Sequence, residues 1–448
     1  MKKLLFIAFV CVLFSACKTE HFPDYDPGNN FTGFIYTSTN ATAGNAIIAL
    51  GRHHDGTIEE LKGSPYKTGA RGDAAEGDFD TEWALRIVGD YLLAVNAGGN
   101  PTHSSISVFK INKANGKLTQ VDQNPQTPAM DNMNSYGVRA ASIAAKTIGG
   151  KTWIVVANQF ANPNYQGAPP VAFGSVMSTP ERNLAVFTLN EASGQLYYRG
   201  IGATYTDGNH GGPTTVEFNA AGTKLAVSTW GVPHFAAPDA DLSLQKPGRL
   251  YLYNFTDGAL AQTGMFEEEG ISGNIGISWS PNDQYVYMTN FNLHSSKEAN
   301  SLTVHDGVTG AKLQNVATGG RNDEACWTWV SIDKRKLYAA SFSGNVISAF
   351  TITGNSLIEK TLEPNFFMRR GEIPVGDTKD MHETADGFLY VSGAFQSHSL
   401  SIFKTSPSGT LSEIAGSPYY IPTSKGKTKE EQSFLGLTGF DKNELYNK

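Results

Sequence analysis

The sequence predicts an all-β fold, a seven-bladed β-propeller with four strands in each blade. The first observation is a repeat that occurs seven times along the 448 residues, at a period of about 50 residues that is typical of propellers and solenoids. Each copy has a short apolar strand, a turn of Gly, Asn or Asp, and a Leu or Ile that begins the next strand, as in SSISVFKINKANGKL and NVISAFTITGNSL. The second observation is the content of 47 glycines, which suits many tight turns between strands. One such unit cannot bury its apolar face alone and must pack against its neighbours.

The other strands of each blade are recognisable beside the repeat. A second strand precedes each copy, as at residues 91–95 (YLLAV) and 153–156 (WIVV). Upstream of six of these lies a further strand, as at residues 214–218 (TTVEF) and 327–330 (WTWV). The strand that follows the glycine turn completes a set of four, which is the size of one propeller blade. The first blade lacks its opening strand.

The missing strand is predicted at the other end of the chain. Residues 434–440 (FLGLTGF), followed by DKNELY, parallel residues 327–332 (WTWVSI), followed by DKRKLY. The C-terminal strand is therefore expected to pair with the N-terminal blade. This pairing closes the ring and removes its free sheet edges.

Connection lengths distinguish the two faces of the predicted ring. The short turns, between the first and second strands and between the third and fourth, open on one face, which we call the turn face. The other connections open on the opposite, loop-rich face. Its long segments are residues 63–81, 123–137, 159–182, 230–248, 363–380 and 417–433. Long loops in compact domains commonly carry function, so we expect the functional site on the loop-rich face.

The N-terminus has the pattern of an exported lipoprotein. Two lysines precede an apolar run at residues 4–14, which has the length of a signal-peptide core. Small residues then precede Cys17, an arrangement that resembles a bacterial lipobox, in which the signal is cleaved before a cysteine that becomes lipidated. We expect a signal peptide at 1–16, the lipidated cysteine and a flexible tether at 17–32, and the propeller at 33–448. The expected location is the cell envelope, anchored in the outer membrane on its periplasmic or outer side.

Cysteine content and charge exclude several classes of function. Cys11 is lost with the signal peptide and Cys17 is the anchor, so Cys326 remains as a single thiol and no disulfide is expected in the mature chain. Loss of the two lysines changes the formal charge from −7 to −9, which gives no electrostatic basis for nucleic-acid binding. The histidines are scattered among the blades, apart from His53 and His54 in one turn, so we predict no metal site and no cofactor. We also expect a monomer.

Two parts of the chain resemble the lactonase-type seven-bladed propellers. Residues 91–98 (YLLAVNAG) with 106–109 (ISVF) are similar to the second blade of that family, and residues 325–327 (ACW) with 344–350 resemble the sixth. The resemblance extends over about residues 33–442. The family includes 6-phosphogluconolactonases and carboxymuconate-lactonising enzymes, which implies a site in the central funnel built from His, Arg and Glu. This chain has no local motif onto which those three residues can be transferred.

The candidate site lies where the inner strands begin, because those positions converge on the propeller axis. Its members are Glu82, Arg139, His210, Asn274, Glu324, Asp380 and His382, with Arg321 and Lys379 nearby. A lactone hydrolase needs a general base, a partner for the developing oxyanion and an acid for the leaving oxygen. The assigned roles are Glu324 or Glu82 as base, Arg139 as oxyanion partner, His210 or His382 as proton carrier, and Asn274, Arg321, Lys379 and Asp380 as binding residues. Alternatively, these side chains line a hydrated channel and satisfy one another.

Two functions therefore remain open. The first is an envelope-anchored, lactonase-like enzyme that hydrolyses or isomerises a small lactone in the funnel, where the expected location disfavours a phosphorylated substrate. The second is a non-catalytic surface protein that binds a glycan or a protein through the loop-rich face, where aromatic side chains are available for stacking. These aromatic residues are Tyr165, Phe173, Phe235, Phe366, Phe367, Tyr419 and Tyr420. The acidic run at 267–269 is expected to be a solvated loop, and Cys326 a buried, inert thiol.

Overall fold

The computed structural model describes most of the chain from residue 30 onward. The described ranges are 30–76, 80–98, 104–160, 182–207, 210–231, 246–291, 301–318, 324–354, 356–360, 366–367 and 371–442. The chain separates into two units, Met1–Asn30 and Phe31–Lys448, and the second contains the propeller. Within the described ranges, no helix has the length and apolar character needed to cross a membrane. The predicted signal peptide and Cys17 lie outside these ranges.

Seven antiparallel sheets form the blades, and their strands are numbered β1–β32 in chain order. From the axis outward, blade 1 contains β32 (Leu435–Asp441), β1 (Gly33–Ser38), β2 (Ala46–Arg52) and β3 (Ile58–Glu60). Blade 2 contains β5 (Leu85–Val88), β6 (Tyr91–Asn96), β7 (Ser105–Ile111) and β8 (Leu118–Gln120). Blade 3 contains β10 (Ala140–Ile148), β11 (Lys151–Asn158), β12 (Asn183–Leu189) and β13 (Leu196–Thr204). Blade 4 contains β14 (Pro213–Phe218), β15 (Lys224–Thr229), β16 (Arg249–Thr256) and β17 (Ala259–Glu267).

The remaining three blades have the same order. Blade 5 contains β18 (Asn274–Trp279), β19 (Tyr285–Asn290), β20 (Leu302–Asp306) and β21 (Lys312–Val316). Blade 6 contains β22 (Ala325–Val330), β23 (Lys336–Ser341), β24 (Val346–Ile352) and β25 (Ile358–Lys360). Blade 7 contains β27 (Thr378–Glu383), β28 (Phe388–Gly393), β29 (Ser399–Thr405) and β30 (Leu411–Glu413). In blades 1, 2, 6 and 7 a short additional strand also pairs with the third strand, namely β4 (Tyr66–Lys67), β9 (Met133–Asn134), β26 (Phe366–Phe367) and β31 (Tyr419–Tyr420). The predicted four-stranded blades are confirmed.

Packing between neighbouring blades forms the core. The second strands are apolar, and every residue of β6 is buried. Leu93 and Ile154, from blades 2 and 3, belong to one buried cluster with Phe187. Outer strands such as β17 instead alternate exposed and partly buried positions, as expected where one side of a strand faces water. The apolar residues between the blades are therefore used for packing. We expect functional side chains at the two ends of the ring, where the connections between strands lie.

The C-terminal strand closes the ring, as predicted. β32 pairs antiparallel with β1, with Gly33 opposite Asp441. Arg52 of β2 is buried, and its guanidinium forms an ion pair with Asp441 and a second one, at 2.6 Å, with Asp386 in blade 7. Blades 1 and 7 are thus joined by backbone pairing and by buried charge.

The connections differ between the two faces as predicted. Residues 219–223, 280–284 and 384–387 join the first and second strands of blades 4, 5 and 7 by tight turns on the turn face. Connections on the loop-rich face are longer, and several of them lie partly outside the described residues.

Candidate functional site

A segment of the chain crosses the central channel. Residues 80–84, which precede β5 of blade 2, lie against the inner strands of blades on the other side of the ring. The Thr81 hydroxyl donates to the carbonyl of Thr214 in blade 4 at 2.5 Å, and the Trp327 indole of blade 6 donates to the Thr81 carbonyl at 2.9 Å. We call residues 80–84 the crossing segment.

Glu82 is the anchor of the crossing segment. One carboxylate oxygen accepts the backbone N–H of Ile277 at 3.0 Å, and the other accepts both the backbone N–H and the hydroxyl of Thr328. The Glu82 backbone N–H donates to the Thr215 hydroxyl at 3.0 Å. Glycine at 276 makes room for this carboxylate, because a Cβ there would lie 2.6 Å from Glu82 Oε1 and 2.5 Å from a backbone carbonyl. Burial raises the pKa of Glu82, and its hydrogen bonds oppose that rise. Its contacts tie blades 2, 4, 5 and 6 together, which is a structural role.

Lys379 and Asp380 lie at the start of β27 in blade 7. Lys379 is fully buried and its ammonium lies 3.7 Å from the carboxylate of Asp80, at the beginning of the crossing segment. Asp380 accepts the backbone N–H of Gly436 at 3.0 Å. Burial raises the pKa of Asp380 to about 7, against the opposing effects of that hydrogen bond and of Lys379. This carboxyl is therefore able to gain or lose a proton near neutral pH.

Three other predicted residues occupy the starts of inner strands. Arg139, immediately before β10, is buried with its Nε 3.0 Å from the carboxylate of Asp73. The Glu324 carbonyl accepts the Cys326 thiol at 3.1 Å, and Cys326 is buried as predicted. Asn274 is fully buried at the start of β18, and neither atom of its amide has a hydrogen-bond partner within the described residues. Each of these side chains lies in a different blade.

His382 lies deeper in the channel than the other candidates. It is the fifth residue of β27, and its ring packs edge-on against Trp329 with centroids 5.5 Å apart. Burial lowers the pKa of His382 to about 3, so the ring is neutral at physiological pH. The proton-carrier role predicted for His382 is therefore disfavoured, because this imidazole does not hold a second proton at that pH.

His210 is held by contacts to one nitrogen of its ring. It precedes β14 on the loop-rich face, and its Nδ1 lies 2.9 Å from the carbonyl of Pro247. A carbonyl only accepts, so Nδ1 is the donor, and in the neutral form of the imidazole the lone pair is on Nε2. The carboxylate of Glu267 lies 3.6 Å from the same Nδ1. The imidazole is thus held in one tautomer and orientation.

Arg249 fixes Glu267 beside His210. Its Nε donates to Glu267 at 2.5 Å, and its Nη1 donates to Asp207 at 2.6 Å and to the Tyr251 hydroxyl at 3.0 Å. The predicted solvated loop at 267–269 is therefore wrong in part, because Glu267 ends β17 within this ion pair and Glu268 pairs with Lys312. We call His210, Glu267 and Arg249 the blade 4 cluster.

Two members of the blade 4 cluster, Arg249 and Glu267, were not predicted as site residues from the sequence. Arg249 begins β16 and Glu267 ends β17, and these two residues are opposite each other in the antiparallel register. The sequence does contain a signal for them. Arg249 and Glu267 are oppositely charged and lie at the loop-rich ends of two consecutive strands, where antiparallel pairing brings them together.

Some predicted residues lie outside the described part of the chain. Arg321 and Cys17 lie outside the described residues, as do the aromatic residues Tyr165, Phe173 and Phe235. Tyr419 and Tyr420, two other predicted aromatics, have hydroxyl contacts with the backbone of blade 1 and with the carbonyl of Glu372. In the described part of the chain, no group of three His, Cys, Asp or Glu residues is arranged to hold a metal ion.

Solved structures share this architecture. A proposed 6-phosphogluconolactonase from Bacteroides fragilis is 14% identical with a TM-score of 0.61, covering 93% of this chain and 100% of that one. A second, from Bacteroides uniformis, is 12% identical with a TM-score of 0.59, covering 92% and 99%. The periplasmic gluconolactonase of Pseudomonas aeruginosa is 14% identical with a TM-score of 0.60, covering 91% and 98%.

Sequence comparison adds no closer relative. No protein-family model matches the chain, and no curated protein matches it. At 12–14% identity the likeness to solved structures concerns the fold. The chain is a seven-bladed β-propeller with the architecture of these solved structures.

Proposed function

We propose that this protein is a lactonase-like hydrolase that acts on a small, unphosphorylated lactone at the loop-rich end of the channel. The observation that carries the proposal is the blade 4 cluster, in which His210 is held by a carbonyl, flanked by Glu267 and backed by Arg249. The His210 and Arg249 side chains are largely buried, at 17% and 10% exposed, whereas Glu267 is 39% exposed, so the imidazole and the guanidinium are held in place beside a solvent-accessible carboxylate. The assignment of the structural neighbours to gluconolactone chemistry supports the same reaction class.

The cluster has the parts that lactone hydrolysis needs. His210 Nε2 removes a proton from water while the water oxygen attacks the lactone carbonyl carbon, and the Arg249 guanidinium supplies positive charge beside the developing oxyanion. The ring C–O bond then breaks, and the imidazolium returns its proton to the leaving alkoxide. Glu267 stabilises the imidazolium between these two steps. Water is the only co-reactant and no electron transfer occurs.

Replacement of His210 by Asn is expected to lower kcat by about 10²–10⁴. Asn retains an N–H that can donate to the Pro247 carbonyl but has no basic nitrogen, so the packing is retained and the base is lost. The measurement is a pH-indicator assay of the purified protein on gluconolactone and on other five- and six-membered lactones. Glu267→Gln is expected to reduce kcat less, because its oxygen still accepts from Arg249.

Matched variants test where the site lies. Glu359→Gln removes an exposed carboxylate of β25 and is expected to leave the rate unchanged. Arg139→Ala and Glu324→Ala test the assignment made from the inner-strand starts. If these two variants abolish hydrolysis while His210→Asn retains it, the blade 4 cluster is not the active site. If no lactone is hydrolysed, the result favours a binding function instead.

We also propose that the protein is anchored to the envelope through a lipid on Cys17, as the lipobox-like sequence indicates. Cys17→Ala is expected to move the protein from the membrane fraction of a bacterial lysate to the soluble fraction, because one cysteine supplies the whole anchor. Cys326→Ala is the matched control and is expected to stay with the membranes. A membrane-bound Cys17→Ala protein would contradict the anchor.

A further inference from the structure

A cavity opens on the turn face close to the axis, at the end of the channel away from the blade 4 cluster. Its walls come from the ends of β14, β18 and β22 and from the turns that follow them, and Trp83 of the crossing segment completes it. We call it the axial pocket, and its lining includes Trp83, Glu217, Ser278, Asp283, Trp329 and Lys334. Its volume of about 260 Å³ is slightly smaller than that of common small-ligand pockets, roughly 300–1,000 Å³. The pocket therefore suits one small ring rather than a polymer.

Two tryptophans give the axial pocket an aromatic surface. The ring centroids of Trp83 and Trp329 lie 5.7 Å apart, with the ring planes tilted by 39°. The guanidinium carbon of Arg86 lies 3.6 Å from the centroid of Trp83 and holds that ring in place. Both indoles are half-buried, so each leaves part of its surface open to a ligand.

A charged pair lies beside these rings. Arg86 Nη2 is 3.5 Å from the Glu217 carboxylate, and Arg86 Nε donates to the Ile143 carbonyl at 2.8 Å. Although they are recessed in the channel, the Arg86 and Glu217 side chains remain 19% and 18% exposed, so solvent reaches both. Burial raises the pKa of Glu217 to about 7, partly offset by Arg86. Near neutral pH the Glu217 carboxyl can therefore accept a hydrogen bond from a hydroxyl when ionised, or donate one to it when protonated.

We propose that the axial pocket binds a single uncharged sugar ring, either a free monosaccharide or the terminal residue of a glycan. The C–H face of the ring stacks on the tryptophans, and its hydroxyls hydrogen-bond to Glu217 and Ser278. Arg86 beside Glu217, together with Lys334 in the lining, disfavours a cationic ligand. Glu217 and Asp283 disfavour an anionic one. This binding site is separate from the blade 4 cluster and goes beyond the proposed hydrolysis.

The test is titration of the purified full chain, followed by tryptophan fluorescence and calorimetry. The probes are glucose, galactose, mannose and N-acetylglucosamine, each as the free sugar and as the terminal residue of a trisaccharide, with choline and gluconate as charged probes. We expect saturable binding of at least one uncharged sugar. The Kd is expected to rise at least tenfold in Trp329→Ala and severalfold in Glu217→Gln.

Control variants distinguish binding in the axial pocket from binding elsewhere on the protein. Trp153→Phe removes a tryptophan that packs against Phe255 outside the pocket, and its Kd is expected to match wild type. If Trp329→Ala does not fold, Trp329→Phe is used in its place. The melting temperature of the variant shows whether it is folded. Loss of hydrolysis in His210→Asn with unchanged sugar binding would separate the two functions. Absence of saturable sugar binding, unchanged Kd in both pocket variants, or tighter binding of choline or gluconate would overturn the proposal.

Discussion

Deletion of residues 434–448 is expected to leave no folded protein. The deletion removes β32, which is the inner strand of blade 1 and pairs along β1. It also removes Asp441, so that Asp386 is the one ion-pair partner left to the buried Arg52 guanidinium among the described residues. Removing one partner of a buried ion pair costs about 3–5 kcal/mol, and the free edge of β1 adds a template for aggregation. The measurements are far-UV circular dichroism, thermal melting and size-exclusion chromatography.

A shorter deletion is the matched control. Termination after Lys442 retains all of β32 and is expected to melt as the full chain does. If the protein without residues 434–448 remains soluble and melts at the wild-type temperature, ring closure by β32 does not hold the fold together.

The architecture was predictable because it depends on repeated local signals. Alternating apolar strands and glycine turns recur in each blade, and the likeness of residues 434–440 to 327–332 sufficed to place β32. Because successive strands of a blade are antiparallel, the order of the strands is enough to assign each connection to one face of the ring. None of these features depends on contacts between side chains of different blades.

The candidate site was less predictable because it depends on contacts between blades. Glu82 was assigned as a base from its position, yet its carboxylate is occupied by N–H groups of blades 5 and 6, which no local pattern indicates. Glu267 stands in a run of three acidic residues that is typical of a solvated loop, but β-sheet register brings it opposite Arg249. Trp83 and Trp329 are far apart in sequence and meet only because the crossing segment enters the channel. Contacts of this kind require the closed ring.

Replacement of Glu82 by Ala is expected to lower the free energy of unfolding by about 3 kcal/mol or more. The carboxylate satisfies the backbone N–H groups of Ile277 and Thr328, and alanine leaves both buried donors without it. Glu82→Gln retains one acceptor oxygen but turns an N–H group toward the other donor, so a cost of about 1–3 kcal/mol is expected. Urea denaturation followed by circular dichroism measures both. Glu359→Gln, on an exposed strand position, is expected to remain within about 0.5 kcal/mol of wild type.

The pH dependence of stability shows whether Glu82 is protonated or ionised in the folded protein. Burial raises the pKa of Glu82 in the folded protein, so the folded state holds this proton at pH values where the unfolded state has lost it. Linkage then requires the free energy of unfolding to fall as pH rises above the ordinary carboxyl range, up to the raised pKa. Glu82→Gln has no proton to lose, so its stability is expected to fall less than that of wild type over the same interval. Parallel stability curves for wild type and Glu82→Gln would show that Glu82 is ionised at all these pH values. In that case Glu82 is a carboxylate throughout this pH range. Its hydrogen bonds to Ile277 and Thr328 then add no pH dependence to the free energy of unfolding.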